Sequence, residues 1–213
     1  MKVQYQREYF NEFSEKQEKV FKKYLEFMSK RNICLKKQII GDIGCGRGSF
    51  LKNLIPENIC YGFDISEYAI NECKKINPQI KNNFQFLDLN KSKINKEIKF
   101  DIITLFDVVE HLDNLSNLKA IIKNNLKNKG FLVITTPNAN SFLRFLLKNK
   151  DYNGEIDKTH SVLFTPYTLD FFLRRSGLKK VTLSTPYSFY FKNNILTEKI
   201  LFGGQIFAIY KKC

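Results

Sequence analysis

Apolar residues follow two different rhythms along the chain. Between residues 5 and 31, Phe10, Phe13, Val20, Phe21, Tyr24, Leu25 and Phe27 recur at near-helical spacing with charges between them. That pattern predicts one or two amphipathic helices laid as a cap on a larger body. From Gln38 onward the rhythm becomes short apolar runs: 38–43, 59–63, 84–87, 100–106 and 131–135 read as buried strands, and 49–54, 66–76 and 115–127 read as helices between them. A further helix starts at Thr165-Pro166, where Thr caps and Pro fits the first turn, and stops at Gly177. Two last strands, 180–184 and 205–210, follow. Strands alternating with helices predict an α/β fold: a doubly wound, mostly parallel seven-stranded sheet with helices on both faces.

A chain of 213 residues suits one core better than two, and no Pro/Ser linker or internal repeat divides it. The expectation is a single domain over 1–213, with an N-terminal helical cap (1–35), a core (36–136) and two insertions, 137–164 and 186–203, where the alternation lapses. No apolar run is long enough to span a bilayer, and charge begins at Lys2 with no signal-like apolar stretch, so a cytoplasmic protein without a membrane anchor is expected. The five cysteines, Cys34, Cys45, Cys60, Cys73 and Cys213, are scattered and never form a C-x-x-C pair, which argues against a zinc knuckle or a disulfide framework. A formal charge of +14 favours anionic partners, although the excess of Lys over Arg and the recurring Asn pairs are also what a compositional bias produces.

The sharpest chemical feature is the run Asp42-Ile43-Gly44-Cys45-Gly46-Arg47-Gly48 at the end of the first strand. Glycines let the backbone turn tightly and approach a ligand closely, and a nucleotide or phosphate site uses the same device. Two carboxylates narrow the choice. Asp64 closes the second strand about twenty residues on, where it can accept hydrogen bonds from ribose hydroxyls, and Asp88 closes the third, where it can face an adenine amino group. Together they describe an adenosine pocket at the carboxyl edge of a parallel sheet.

These residues resemble the class I S-adenosylmethionine-dependent methyltransferases, particularly the small-molecule branch of ubiquinone and sugar O-methyltransferases. The resemblance spans residues 36–180 and rests on five stretches in order: 41–48, Gly62-Phe63-Asp64-Ile65-Ser66, Phe86-Leu87-Asp88, Phe100-Asp101 through Asp107-Val108-Val109-Glu110-His111-Leu112, and Gly130 through Thr136-Pro137-Asn138. It implies a Rossmann-like fold and S-adenosylmethionine as cofactor, leaving as S-adenosylhomocysteine. It further implies that Asp42 with the backbone of Gly44, Cys45 and Gly46 surrounds the methionine end, Asp64 and Ile65 the ribose, and Asp88 and Leu89 the adenine. The carbonyl of Phe106 is expected to face the ammonium.

Methylation of a hydroxyl requires loss of its proton, and only two histidines are present, His111 and His160; either is able to serve as the base near neutral pH. Asp107, Glu110 and His111 have i, i+3, i+4 spacing and, with His160, resemble a metal-ligand set, yet the two carboxylates are read as ordering the loop beside the cofactor and no metal is assigned. Acceptor choice is placed in the added parts, with Tyr5, Tyr9 and Phe10 in the cap and Tyr187, Phe189, Tyr190 and Phe191 in the second insertion. The expected acceptor is a small or glycan-type anionic molecule, for example a nucleotide-linked or phosphorylated precursor of a surface polysaccharide. Two alternatives stand beside it: a nucleic-acid methyltransferase using the basic surface, and a non-catalytic cofactor-binding subunit.

Overall fold

The computed structural model describes residues 14–141, 159–185 and 203–213. The aromatic residues expected to choose the acceptor, in the cap and in the second insertion, lie outside the described residues, as does most of the first insertion. Seven strands form one sheet: β1 (Ile39–Ile43), β2 (Ile59–Asp64), β3 (Phe84–Phe86), β4 (Phe100–Phe106), β5 (Leu126–Pro137), β6 (Leu178–Ser184) and β7 (Gln205–Lys212). Their order is β3-β2-β1-β4-β5-β7-β6. The first five strands run parallel, while β7 lies antiparallel between β5 and β6. Chain order reverses between β1 and β4, and that switch point opens a crevice at the carboxyl ends of the strands.

Side chains alternate between the two faces. Ile103 and Leu105 of β4 and Leu132 and Ile134 of β5 pack in one core with Leu118, Ile121 and Ile122 of helix α3 (Ser116–Asn124) and Leu169 and Leu173 of α4 (Pro166–Arg175). Ile102, Val133, Phe207 and Ile209 pack on the other face with Tyr24, Phe27 and Met28 of α1 (Ser14–Lys30) and Ile70 and Cys73 of α2 (Glu67–Ile76). Burying both faces explains why the strands read as continuous apolar runs. The α1 cap docks through aromatic rings, with Tyr24 lying 4.9 Å from Phe106 and 5.0 Å from Phe207, centroid to centroid. The predicted start of α4 is present as a capping box in which the Thr165 hydroxyl accepts from the Thr168 N–H, with Pro166 in the first turn. Among the described residues no helix is long and apolar enough to cross a membrane.

Two elements differ from their sequence reading. The 49–54 segment forms only short 3-10 turns at Leu51–Asn53 and Ile55–Glu57. Pro56 has no N–H and its ring collides with the carbonyl four residues earlier, so a helix begun after Gly48 cannot run past it and only short turns form around it. The helix read over 115–127 ends earlier, at Asn124, because the Asn125 amide donates to the carbonyls of Asn95 and Ile98 and anchors the turn. Leu126 then pairs with Phe100, so β5 begins five residues before the expected 131.

Candidate active site

Four strand ends and one returning loop build the site. At the end of β1 the chain turns through Gly44 (φ +75°), Gly46 (φ +52°) and Gly48 (φ +77°), left-handed conformations that glycine alone adopts without strain. A Cβ on Gly44 would stand 2.3 Å from Val108 Cγ2, so the loop and the segment after β4 are pressed together and no larger residue fits. The Gly44 and Cys45 N–H groups donate to the Phe63 carbonyl (2.7 and 3.0 Å), tying the loop to β2. Cys45 turns its thiol inward: it is buried, hydrogen-bonded to Cys73, and 2.9 Å from where a Cβ on Gly62 would sit. That hydrogen bond, then burial, raises the Cys45 thiol well above its ordinary value.

Asp42 is buried under the loop, where its Oδ1 accepts from Thr104 Oγ1 at 2.5 Å. Burial pushes its carboxyl up to about 7 against the pull of that hydroxyl, and neighbouring Asp64 adds to the rise. Asp64 accepts one N–H on each oxygen, Gly46 on Oδ2 and Ser66 on Oδ1, both at 2.8 Å. Burial raises this carboxyl too, opposed by the backbone donors of Ser66, Gly46 and Ile65. Each carboxylate oxygen has a second lone pair, so the group remains able to accept from two ribose hydroxyls. Ile65 beside it is 46% exposed, an apolar surface at the mouth of the crevice. This combination fits a nucleoside.

Asp88 lies beyond the end of β3, where it accepts from the Asn90 N–H and pairs with Lys91 at 2.8 Å. Leu89 turns into the core, 5% exposed. Phe106 ends β4 with its ring among Phe21, Tyr24 and Phe50.

Beyond Phe106 the backbone at Asp107 adopts φ +53°, unusual for a residue with a side chain. Its carboxylate accepts from Gln205 Nε2 (2.7 Å) and Thr135 Oγ1 (3.1 Å) and lies within electrostatic range of both histidines. Asp107 to His111 do not form the helix that their spacing permits; only a 3-10 turn, Val109–His111, is present. The loop carrying His160 returns to this turn through two backbone bonds, Ser161 N–H (2.8 Å) and Val162 N–H (3.1 Å) to the Glu110 carbonyl. The two imidazoles thereby meet edge to face with centroids 4.8 Å apart. His111 Nδ1 contacts the Thr159 carbonyl at 3.2 Å and its hydroxyl at 2.8 Å. A carbonyl can only accept, so this favours the tautomer with its proton on Nδ1 and the lone pair on Nε2. Glu110 is buried and accepts from Thr136 Oγ1 at 2.9 Å.

Thr104, Thr135, Thr136, Thr159 and Gln205 were not expected in the site. Polar Thr104 and the Thr135-Thr136 pair inside apolar strands are the signal that marks three of them. Nothing in the sequence singles out Gln205, which arrives from the far end of the chain.

Residues 10–183 match a family model described as a methyltransferase domain. A relative described as ubiquinone biosynthesis O-methyltransferase, from Hydrogenovibrio crunogenus, is 24% identical over 163 residues, covering 72% of this chain and 67% of that protein. Among solved structures, an S-adenosylmethionine-dependent methyltransferase from Clostridium acetobutylicum matches with a TM-score of 0.65 at 18% identity over 91% of each chain. A possible histamine N-methyltransferase from Thermotoga maritima matches with a TM-score of 0.67 at 20% identity over 97% of each. Magnesium protoporphyrin IX methyltransferase from Synechocystis PCC 6803, with bound S-adenosylhomocysteine, gives 0.64 at 16% identity over 92% of this chain and 84% of that one. At these identities the solved structures establish a shared fold.

Proposed function

Since the chain belongs to the S-adenosylmethionine-dependent methyltransferases, we propose that it methylates a hydroxyl of a small or carbohydrate-type acceptor, such as a nucleotide-linked or phosphorylated precursor of a surface polysaccharide. The observation that carries this reading is the paired imidazoles of His111 and His160 at the carboxyl edge of the sheet. A hydroxyl needs a proton acceptor there, whereas an amine that is already a free base does not. The O-methyltransferase activity named for the Hydrogenovibrio relative supports the same choice of atom.

When bound, S-adenosylmethionine supplies the electrophilic methyl carbon. In this reading the loop of Gly44, Cys45 and Gly46, with Asp42 beneath it, lines the methionine end. Asp64 and Ile65 hold the ribose, Asp88 and Leu89 border the adenine, and the Phe106 carbonyl receives the ammonium. Rigid strand ends keep these groups in place, so catalysis rests mainly on holding the acceptor in line with the methyl carbon. His111, its ring oriented by Thr159, and His160 are the groups through which the acceptor loses its proton. Five free cysteines support a reducing, cytoplasmic setting.

The test is an acceptor screen with labelled S-adenosylmethionine over sugar nucleotides, phosphosugars, quinol precursors and RNA, reading S-adenosylhomocysteine release and the labelled product. Label on a hydroxyl of a small acceptor is the expected result. Label confined to nitrogen or to RNA would replace this reading.

A further inference from the structure

Glu110, His111 and His160 each bring one ligand-type atom to a common point, all within 4.8 Å of one another. Three features of the fold converge on that grouping. Glu110 is 1% exposed, a carboxylate whose burial is costly without compensating partners, and Thr136 orients it. Thr159 fixes the His111 ring from behind, as the outer partners of metal-bound imidazoles do. The Ser161 and Val162 N–H groups clamp the His160 loop onto the Glu110 carbonyl, which keeps the third residue beside the other two.

We propose that these three residues form a binding site for one divalent transition-metal ion of the borderline class typified by Zn2+. Two imidazoles and one carboxylate are the donor set of three-ligand sites that keep positions open for an exogenous oxygen. With ligand bonds of about 2.1 Å, neighbouring donors around such an ion stand about 3.4 Å apart, so small rotations of the half-buried imidazoles close the group onto it.

This rests on the hydroxyl-acceptor reading and deepens it: the ion binds the hydroxyl oxygen in an open position and makes its proton more acidic. The O–H bond breaks and its proton passes to a solvent water, because the ion now occupies the imidazole lone pairs that would take it in the ion-free site. The oxygen's electron pair then forms the new bond to the methyl carbon of S-adenosylmethionine, and the sulfur keeps the pair of the broken C–S bond.

The experiment is equilibrium dialysis of the chelator-treated full chain against Co2+ and Zn2+, with the visible absorption of bound Co2+ recorded. Calorimetric binding of S-adenosylhomocysteine is measured on the same samples. The expected result is one equivalent of ion per chain, weakened about tenfold or more in both Glu110→Gln and His160→Ala. The conservative Glu110→Gln keeps an acceptor for Thr136, and unchanged S-adenosylhomocysteine affinity in both variants certifies their folding. Intact S-adenosylhomocysteine binding without saturable Co2+ or Zn2+ uptake overturns the ion and leaves the imidazoles as plain bases. Uptake of undiminished affinity in both variants also overturns it, by placing the ion elsewhere. Failure of the wild-type chain to bind S-adenosylhomocysteine would instead strike the cofactor reading beneath it.

Discussion

Asp42 brings a carboxyl group into the centre of the sheet, where the Thr104 hydroxyl donates to it. Its folded value of about 7 lies above the ordinary value of 3.8, so the native state holds a proton that the unfolded chain has released between those two values. Stability therefore falls as pH rises through that window, by up to a few kcal/mol, and levels off above about 7. Asp42→Asn keeps an oxygen for Thr104 and has no charge to bury. Thermal melts at pH 5 and pH 8 should show a larger loss for the wild type than for the variant; equal losses would mean that Asp42 ionises freely in the fold. At this scale the residues legible in the sequence were those with a backbone demand or a strand-end position, namely Gly44, Gly46 and Asp64. Thr159 and Gln205 escaped because their partners, His111 and Asp107, stand 48 and 98 positions away.

Helix α4 is joined to the sheet through Asp170, which accepts from the Tyr210 hydroxyl of β7 and lies 3.8 Å from the Lys180 ammonium of β6, within a largely apolar seam. Burial pushes the Asp170 carboxyl up, but Tyr210, Arg174 and Lys180 outweigh it and hold the group below its ordinary value, while burial and the same bond raise the Tyr210 phenol. Tyr210→Phe keeps the ring and removes the bond. The expected cost is about 1–2 kcal/mol, seen as a fall of about 3–6 °C in melting temperature; an unchanged melt would show that water replaces the hydroxyl at no cost. The start of α4 was legible because Thr165 and Pro166 are local signals. The 49–54 segment was misread because its apolar spacing is helical, while Pro56 acts against a helix from outside the window.

Charge is sorted between the two edges of the sheet. Lys36 and Lys37 precede β1, Lys99 precedes β4, Lys127 and Lys129 begin β5, Lys179 and Lys180 begin β6, and Lys211 and Lys212 end β7, so lysines crowd one edge of the sheet. Asp64, Asp88, Asp107 and Glu110 stand at the opposite edge, with the site. These lysines lie on the edge away from the chemistry, where they attract polyanions without presenting them for methylation. RNA retained at about 50 mM salt should be released by about 200 mM, with no label transferred to it. Salt-resistant binding with methylation of RNA would reverse the small-acceptor reading.

What the sequence determined alone was the sheet, its glycine loop and the acids at its strand ends. Those depend on side-chain period, on glycine's freedom at positive φ and on local spacing, all of which are written within a few residues. The tertiary structure decided the pairing of the histidines. His111 and His160 meet because a loop some fifty residues on is clamped to the Glu110 carbonyl, and Asp107 is held by Thr135 and by Gln205 from the last strand. Such contacts join positions far apart in the chain, and only packing sets which of them touch.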